Sequence, residues 1–349
     1  MNTEEKKYTV AVVATMSAGK STLLNAMVGF DLLPTKNLPC TSTIFRIEDH
    51  DEIPNFEGLY RDNRKLSEWQ AINQEILSDW NGRGFQEIEI RGNLPGIKNS
   101  ENACRVVFFD TPGPNNAMSS DHEKITKKII RRADFCNLIC VLNASVMGVQ
   151  DEWKLLAFIK KEIDKAESKI RPIFVLNKID VLDYDSGERV GEIVRSATDY
   201  LKSLGYKNPI VIPMCSMLSL TIRKCLNGAT RMTAKEVSGD YRGAAKLKSF
   251  FSRRYKSTLS ERKQFQLKIM LQRFNDLCME YRSALEINPT SKKALENLEK
   301  IKRPTPRRKI KIAGTYFKYS ELYQSDQLAG VPVLEYILEQ KLNTYSKKH

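Results

Sequence analysis

The chain has 349 residues, 41% of them hydrophobic, and carries 56 Lys and Arg residues against 42 Asp and Glu residues. This length and apolar content suffice for a large core in one or two domains. The composition is typical of a cytoplasmic globular protein. The polar start is not a secretory signal, no run of about 18 apolar residues predicts a transmembrane segment, and seven scattered cysteines favour reduced thiols over disulfides or zinc ligands.

The first predicted elements are a buried strand over 8–13 and a helix over 20–29, joined by a phosphate-binding turn. The turn runs Ala14-Thr15-Met16-Ser17-Ala18-Gly19-Lys20-Ser21-Thr22. In such a loop, backbone N–H groups and the helix amino terminus bind phosphate, the lysine reaches the β and γ oxygens, and the serine hydroxyl ligates Mg²⁺. Ala14 replaces the first glycine of the usual pattern, and the loop alone also fits a small-residue helix start without a ligand.

An extended segment over 43–48 comes next, then a helix from Ser67 to Trp80 and strands over 85–91 and 105–109. The last of these strands ends in Asp110-Thr111-Pro112-Gly113. A carboxylate in this position can hold a Mg²⁺-bound water, and the Gly113 amide can contact a γ-phosphate. The material between Glu48 and Arg105 is expected to elaborate the switch region.

A helix over 118–132, a strand over 135–142, a helix over 151–168 and a strand over 171–176 follow. The last strand ends in Asn177-Lys178-Ile179-Asp180. A carboxylate placed like Asp180 can accept the N1 and N2 protons of guanine, whereas adenine offers no such pair of donors. Alone this motif is more often a solvated turn, but its position after a strand and downstream of the other two motifs indicates a guanine nucleotide site.

A helix over 187–204 and a strand over 209–213 complete this series. Strands that alternate with helices predict an α/β domain of three layers, with a mainly parallel sheet covered on both faces. All three motifs then lie at the carboxyl ends of strands, where ligands bind in such sheets. The predicted fold class is a P-loop GTPase domain.

Several segments together resemble a bacterial dynamin-like GTPase. They are Ser17 to Ser21, Leu33-Pro34 through Pro39-Cys40-Thr41-Ser42, Asp110 to Asn116, Asn177 to Asp180, and Gly330-Val331-Pro332-Val333-Leu334-Glu335. The resemblance spans residues 8–216 and about 328–345, which correspond mainly to the GTPase domain of that family.

The resemblance implies that GTP is the substrate and Mg²⁺ the cofactor. By this likeness Thr41 is the switch threonine that binds Mg²⁺ and positions the attacking water, and Ser17 lies near the transferred phosphoryl group. The expected catalytic residues are then Ser17, Lys20 and Thr41, and the expected metal ligands are Ser21, Thr41 and Asp110. The expected GTP-binding residues are Ser17, Ala18, Gly19, Lys20, Ser21, Thr22, Gly113, Asn177, Lys178, Asp180, Cys215 and Ser216. The resemblance also implies a GTP-dependent face-to-face dimer.

Residues 217–320 contain the chain's excess of positive charge. They hold 25 Lys and Arg residues against 8 Asp and Glu residues, a net of +17, whereas the remainder, with 31 basic and 34 acidic residues, carries −3. Apolar positions spaced by three and four predict a helical seam of Leu267, Leu271, Phe274, Cys278, Tyr281 and Leu285. The seam is expected to pack on neighbouring helices, and docking of a partner or another protomer is the alternative.

A basic run lies near the end of this segment. It comprises Lys302, Arg303, Arg307, Arg308, Lys309, Lys311 and Lys318, with no acid among residues 301–320. Such a run is often solvated surface, and it also fits an anionic membrane surface or a nucleic-acid backbone. The dynamin likeness favours the membrane.

The sequence thus predicts a GTPase domain core over 1–216, a basic, mostly helical insertion over 217–320, and a closing helix over 321–349. The predicted function is hydrolysis of GTP to GDP and phosphate, coupled to nucleotide-dependent dimerisation and membrane-associated assembly. One alternative is a GTPase that binds nucleic acid or the ribosome. Another is a nucleotide-binding scaffold of low turnover, suggested by Ala14 and by Met16, which stands where animal dynamins carry a catalytic glutamine.

Overall fold

The structure is a computed structural model that describes residues 6–15, 17–35, 43–53, 55–62, 65–98, 104–111, 127, 135–165, 170–229, 261–301 and 309–348. Several predicted features lie outside these residues. They are Met16, Thr41, Gly113, nearly all of the helix over 118–132, and the basic positions within 302–308. Their roles stay predictions.

Ten strands of the described residues form one sheet at the centre of the fold, and five consecutive strands of it are parallel. In spatial order these are β10 (Ile210–Met214), β9 (Ile173–Asn177), β8 (Phe135–Asn143), β1 (Lys6–Ala14) and β7 (Cys104–Asp110). Most of their residues are buried, which explains why these strands appear in the sequence as continuous apolar runs. The predicted mainly parallel α/β fold is confirmed.

The residues between the phosphate loop and β7 extend the sheet. β2 (Ile44–Asp49) pairs antiparallel with β7, and β6 (Glu87–Gly92) pairs parallel with β2. β3 (Glu57–Asp62) pairs antiparallel with β6. The predicted elaboration therefore begins as additional strands of the same sheet.

The helix predicted from Ser67 to Trp80 is wrong in its first half. β5 (Gln70–Ala71) pairs with β3 there, and β4 (Lys65–Leu66) pairs with β3 just before the predicted start. The helix α2 (Gln74–Gly82) begins only after Asn73, whose side chain accepts the Ile76 N–H at 2.9 Å. Pairing with β3 and this cap set the boundary, and neither is visible in the apolar periodicity.

Four helices follow the parallel strands directly along the chain or after a short turn. They are α1 (Lys20–Val28), α3 (Gln150–Lys165), α4 (Val190–Ser203) and α5 (Ser216–Ala229). Their starts, like the carboxyl ends of the strands before them, lie along one edge of the sheet. No helix among the described residues is long and apolar enough to span a membrane.

The described part of 217–320 is helical except for a β-hairpin. After α5 come α6 (Glu261–Asp276), α7 (Cys278–Glu286), α8 (Pro289–Lys300), the hairpin β11 (Lys309–Ile312) and β12 (Thr315–Lys318), and then α9 (Tyr319–Leu328) and α10 (Val331–Lys348). α7 packs on α4, α8 packs on α10, and α10 contacts β1, β7 and β10. These helices thus lie on the core, and the domain limits stay predictions.

The predicted apolar seam is buried inside the protein. Leu267, Leu271, Phe274, Tyr281 and Leu285 are each at most 2% exposed and belong to the same core cluster as the sheet. The seam is carried by two helices, because α6 ends at Asp276 and α7 begins at Cys278. Packing on neighbouring elements is therefore the role that the seam has in the structure.

A buried ion cluster joins α5 to α9 and α10. Arg223 Nε lies 3.1 Å from Asp326 Oδ2, and its Nη1 and Nη2 atoms lie 2.6 and 2.8 Å from the two carboxylate oxygens of Glu335. Nη1 also donates to the Ala26 carbonyl in α1 at 3.0 Å. The last two helices are thereby attached to the helix that begins at the phosphate loop.

Candidate nucleotide-binding site

The phosphate-binding sequence forms the turn between β1 and α1. Ala14 ends β1 in extended backbone, so its Cβ causes no strain at the position of the usual first glycine. The left-handed backbone falls on Ser17, with φ 59°, and on Gly19, with φ 92°. A Cβ on Gly19 would lie 2.3 Å from Asn177 Nδ2, so only glycine fits there. The first N–H groups of α1 meet the turn, an arrangement that binds phosphate.

Lys20, the first residue of α1, contacts the second motif directly. Its Nζ forms an ion pair with Asp110 and donates to the Thr111 carbonyl. Thr111 is itself fixed by its Oγ1, which donates to the Val12 carbonyl at 2.9 Å. Burial raises the pKa of Asp110, and the adjacent Lys20 opposes that rise. The phosphate loop and the end of β7 therefore form one charged site.

Asn177 joins three loops at this edge of the sheet. Its Nδ2 donates to the Ala18 carbonyl at 2.8 Å, and its Oδ1 accepts the Ser216 N–H at 3.1 Å. The side chain is buried, and an amide supplies the donor and the acceptor that these two contacts need. Lys178 then adopts a left-handed φ of 66°, which turns the chain into the short 3₁₀ helix Ile179–Val181.

Asp180 lies in this 3₁₀ helix, beside Cys215. The Cys215 thiol is fully buried, and burial, together with the Asp180 charge, raises its pKa. The Cys215 N–H donates to the Ala329 carbonyl at 2.9 Å, just before α10. Gly330 has φ 89°, and a Cβ there would lie 2.4 Å from the Pro213 carbonyl oxygen. The segment after β10 is therefore held between Asp180 and the start of α10.

The first comparison with known proteins concerns the region that contains this site. Residues 10–179 match the sequence profile of the dynamin family. Over these residues, just under half of the chain, the protein is similar to the GTPase domain of the dynamin family. The match includes the phosphate loop, Asp110 and Asn177, the residues that the fold brings together.

The proteins that are similar to this chain are longer than the region they share with it. The "Uncharacterized protein in xynA 3'region" of Caldicellulosiruptor sp. (strain Rt8B.4) is 28% identical over 221 residues, which cover 62% of this chain and 51% of that protein. Dynamin-related protein 3B of Arabidopsis thaliana is 26% identical over 239 residues, which cover 58% of this chain and 29% of that protein. A solved structure of an oligomerised bacterial dynamin pair is similar with a TM-score of 0.47 at 18% identity, covering 85% of this chain and 44% of that one. The chain thus spans about half or less of each relative.

The donor atoms of the GTPase domain fit Mg²⁺. The Asp110 carboxylate contacts Lys20, and Ser21, which carries a hydroxyl, is the next residue of α1. Such oxygen donors are those that Mg²⁺ prefers. Among the described residues, no group of three or more His, Cys, Asp or Glu side chains could hold a metal ion.

The GTPase domain also contains supporting residues that the motifs do not specify. Thr111 supports Lys20 through its carbonyl, and its place inside the Asp110 motif is the one signal that could have identified it. Leu182 accepts a hydrogen bond from Arg273 of α6. No sequence pattern relates Arg273 to the loop after Asp180, because 91 residues separate the two partners.

Proposed function

We propose that this GTPase domain binds GTP and hydrolyses it to GDP and phosphate with Mg²⁺. The observation that carries the proposal is the convergence of the phosphate loop, Asp110 and the Asn177 to Asp180 motif at one edge of the sheet. Asn177 contacts the Ala18 carbonyl and the Ser216 N–H, so the loop expected to bind phosphate and the loops expected to bind the base have a fixed separation. A single guanine nucleotide can then contact both.

The roles of Lys20, Ser21 and Asp110 follow from their chemistry, and those of Ser17 and Thr41 follow from the resemblance to the dynamin family. Phosphoryl transfer to water needs positioning and charge neutralisation more than covalent chemistry. Lys20 would neutralise charge on the β and γ oxygens, Ser21 and Thr41 would hold Mg²⁺, and Asp110 would hold a water beside it. Bound Mg²⁺ supplies further charge neutralisation at the phosphates. Ser17 lies in the loop beside the γ-phosphate position, and Thr41 orients the attacking water. The Gly113 amide donates to the γ-phosphate.

The base is recognised by Asp180. Replacing Asp180 by Asn converts one acceptor into a donor, so we expect the preference to shift from GTP to XTP, whose additional carbonyl accepts that proton. The loss of a bidentate charge-assisted contact should cost at least about 2 kcal/mol in GTP affinity. Calorimetric titration of both variants with GTP and XTP measures this exchange. Asp185→Asn, the same change at an exposed position of the turn that follows the 3₁₀ helix, is the control and should leave both affinities unchanged. An Asp180→Asn protein that still prefers GTP would contradict the assignment.

Similarity to the dynamin family supports a GTP-dependent dimer that forms through the nucleotide face. We expect turnover per molecule to rise with protein concentration, because each protomer completes the other's site. Light scattering with GDP, GTP and a transition-state mimic should report a monomer in the first case and a dimer in the last. A monomer in every nucleotide state, with a specific activity independent of concentration, would contradict the proposed dimer. It would not contradict the proposed GTP hydrolysis.

The basic segment supports peripheral association with an anionic membrane. The outer face of the hairpin carries Lys309 opposite Lys318 and Lys311 opposite Tyr316, while Ile310, Ile312 and Phe317 are buried beneath it. Like charges directly across a strand pair are unfavourable by themselves. An anionic surface offsets that repulsion, and Tyr316 suits the boundary between water and lipid.

Neutralising Arg303, Arg307, Arg308 and Lys309 together should weaken binding to anionic liposomes without changing GTP affinity. Each charge near such a surface contributes about 1 kcal/mol at low salt, and screening lowers that value as ionic strength rises. Co-sedimentation at several salt concentrations measures the effect. The control neutralises four exposed cations outside the segment, Arg83, Lys161, Lys202 and Lys207. Unchanged lipid binding in the first variant would contradict the assignment, and loss of RNA binding without lipid binding in either protein would favour the nucleic-acid alternative.

A further inference from the structure

We infer that α6 and α7 hold the guanine-recognition loop, residues 177–184, in its binding geometry, with Arg273 as the main positioning residue. The inference rests on the proposed role of Asp180 in binding guanine. It assigns a function to a part of the segment 217–320 that carries no nucleotide motif.

Arg273 fixes the far end of the loop. Its Nη2 donates to the Leu182 carbonyl at 2.7 Å, two residues after Asp180. The same guanidinium lies over the Tyr184 ring, with its carbon 5.4 Å from the ring centroid. The near end of the loop is fixed independently by Asn177, through Ala18 and Ser216. The 3₁₀ helix that carries Asp180 is therefore held on both sides.

α7 adds a second attachment. Glu280 Oε1 accepts the Val190 N–H at 2.8 Å, at the first residue of α4. This contact supplies the cap that α4 needs, because its own N-cap residue, Arg189, forms no side-chain cap bond. The chain from Asp180 to α4 thus meets the α6 and α7 pair at Leu182, Tyr184 and Val190.

Tyr281 packs behind the loop. Its buried ring stacks on Phe274 with centroids 4.1 Å apart, which joins α7 to α6. Burial raises the pKa of the Tyr281 hydroxyl, and Tyr184, Cys215 and Asp180 add to that rise. This stack joins the two helices, and the pair contacts the loop of Asp180 through Arg273.

The physical consequence concerns the two contacts that Asp180 makes with guanine. A bidentate contact requires both carboxylate oxygens to be oriented at once, whereas a single contact tolerates rotation. Without Arg273 the Leu182 carbonyl loses its hydrogen bond, so the chain beside Asp180 is held less tightly and the second contact is weakened first. The affinities for GTP and GDP fall alike, since both nucleotides carry the same base, and the hydrolysis step itself is unchanged.

Arg273→Gln tests this arrangement, and Arg282→Gln is the matched control. Arg273 is an exposed residue, so the substitution leaves the core intact. Arg282 lies on α7 and pairs with Glu286 and Glu299, away from the loop. We expect Arg273→Gln to weaken GTP and GDP binding by about five- to tenfold, with unchanged turnover at saturating GTP and an unchanged melting temperature. Arg282→Gln should leave both affinities as they are.

Inosine triphosphate separates positioning of Asp180 from general damage to the site. It lacks the N2 amine of guanine, so Asp180 can make one contact with it, and its affinity should fall less than that of GTP in Arg273→Gln. Unchanged GTP affinity, or equal losses for GTP and inosine triphosphate, would overturn the inference. A wild-type protein that binds ATP as tightly as GTP would instead overturn the proposed function.

Discussion

Replacing Arg223 by alanine is expected to lower the free energy of unfolding by about 3–5 kcal/mol, because it leaves two buried carboxylates without their cation. Asp326 and Glu335 are 4% and 3% exposed, and the guanidinium of Arg223 contacts both. The same guanidinium holds the Ala26 carbonyl, so α1, α9 and α10 lose a common attachment. Such a loss is a large fraction of the stability of a typical domain.

Denaturant unfolding of the purified variant measures this loss. Arg282→Ala is the control, because it removes an ion pair with Glu299 that is exposed to solvent and should cost less than about 1 kcal/mol. If Arg223→Ala and Arg282→Ala lose the same small amount, the cluster does not stabilise the packing of the last two helices.

Lys20→Ala should abolish tight nucleotide binding. The charged Nζ of Lys20 lies inside the site, where it contacts Asp110 and the Thr111 carbonyl. Removing a desolvated charge that contacts phosphate should cost about 4 kcal/mol, or roughly a thousandfold in affinity for both GTP and GDP. Calorimetry with each nucleotide measures the loss.

Thr41→Ala provides the contrast that distinguishes binding from hydrolysis. Thr41 is proposed to contact only the γ-phosphate and its Mg²⁺, so GDP affinity should stay nearly unchanged while turnover falls strongly. Equal losses of GDP binding in Lys20→Ala and Thr41→Ala would exclude the switch role of Thr41. Ser42 or Thr43 would then be the candidates.

The part of the fold that could be predicted is the part set by local pattern. Each parallel strand is a short apolar run, and each motif follows one directly, so the edge where Lys20, Asp110 and Asn177 meet follows from the rule for parallel sheets. The glycine at position 19 could also be predicted from the motif, but the contact that requires a glycine there could not. Asn177 occupies the space that a Cβ would need, and it lies 158 positions later in the chain.

The features that could not be predicted depend on contacts between distant residues. Pairing with β3 forms two short strands at 65–66 and 70–71, so the first residues of the helix expected from Ser67 are not helical. The hairpin at 309–318 could not be predicted, because the alternation of Lys309, Ile310, Lys311 and Ile312 is too short to indicate a strand by itself. The seam on α6 and α7 indicated burial, but not that these helices pack behind the loop of Asp180. The function of Arg273 is therefore visible only in three dimensions.

Guanine selectivity is the central claim, and one titration of the wild-type protein tests it most directly. GTP and ATP are titrated separately into the chain in the presence of Mg²⁺, and the two dissociation constants are compared by calorimetry. We expect saturable binding of GTP and no measurable binding of ATP over the same concentration range, because adenine offers Asp180 no pair of donors. Equal affinity for ATP and GTP would contradict the account.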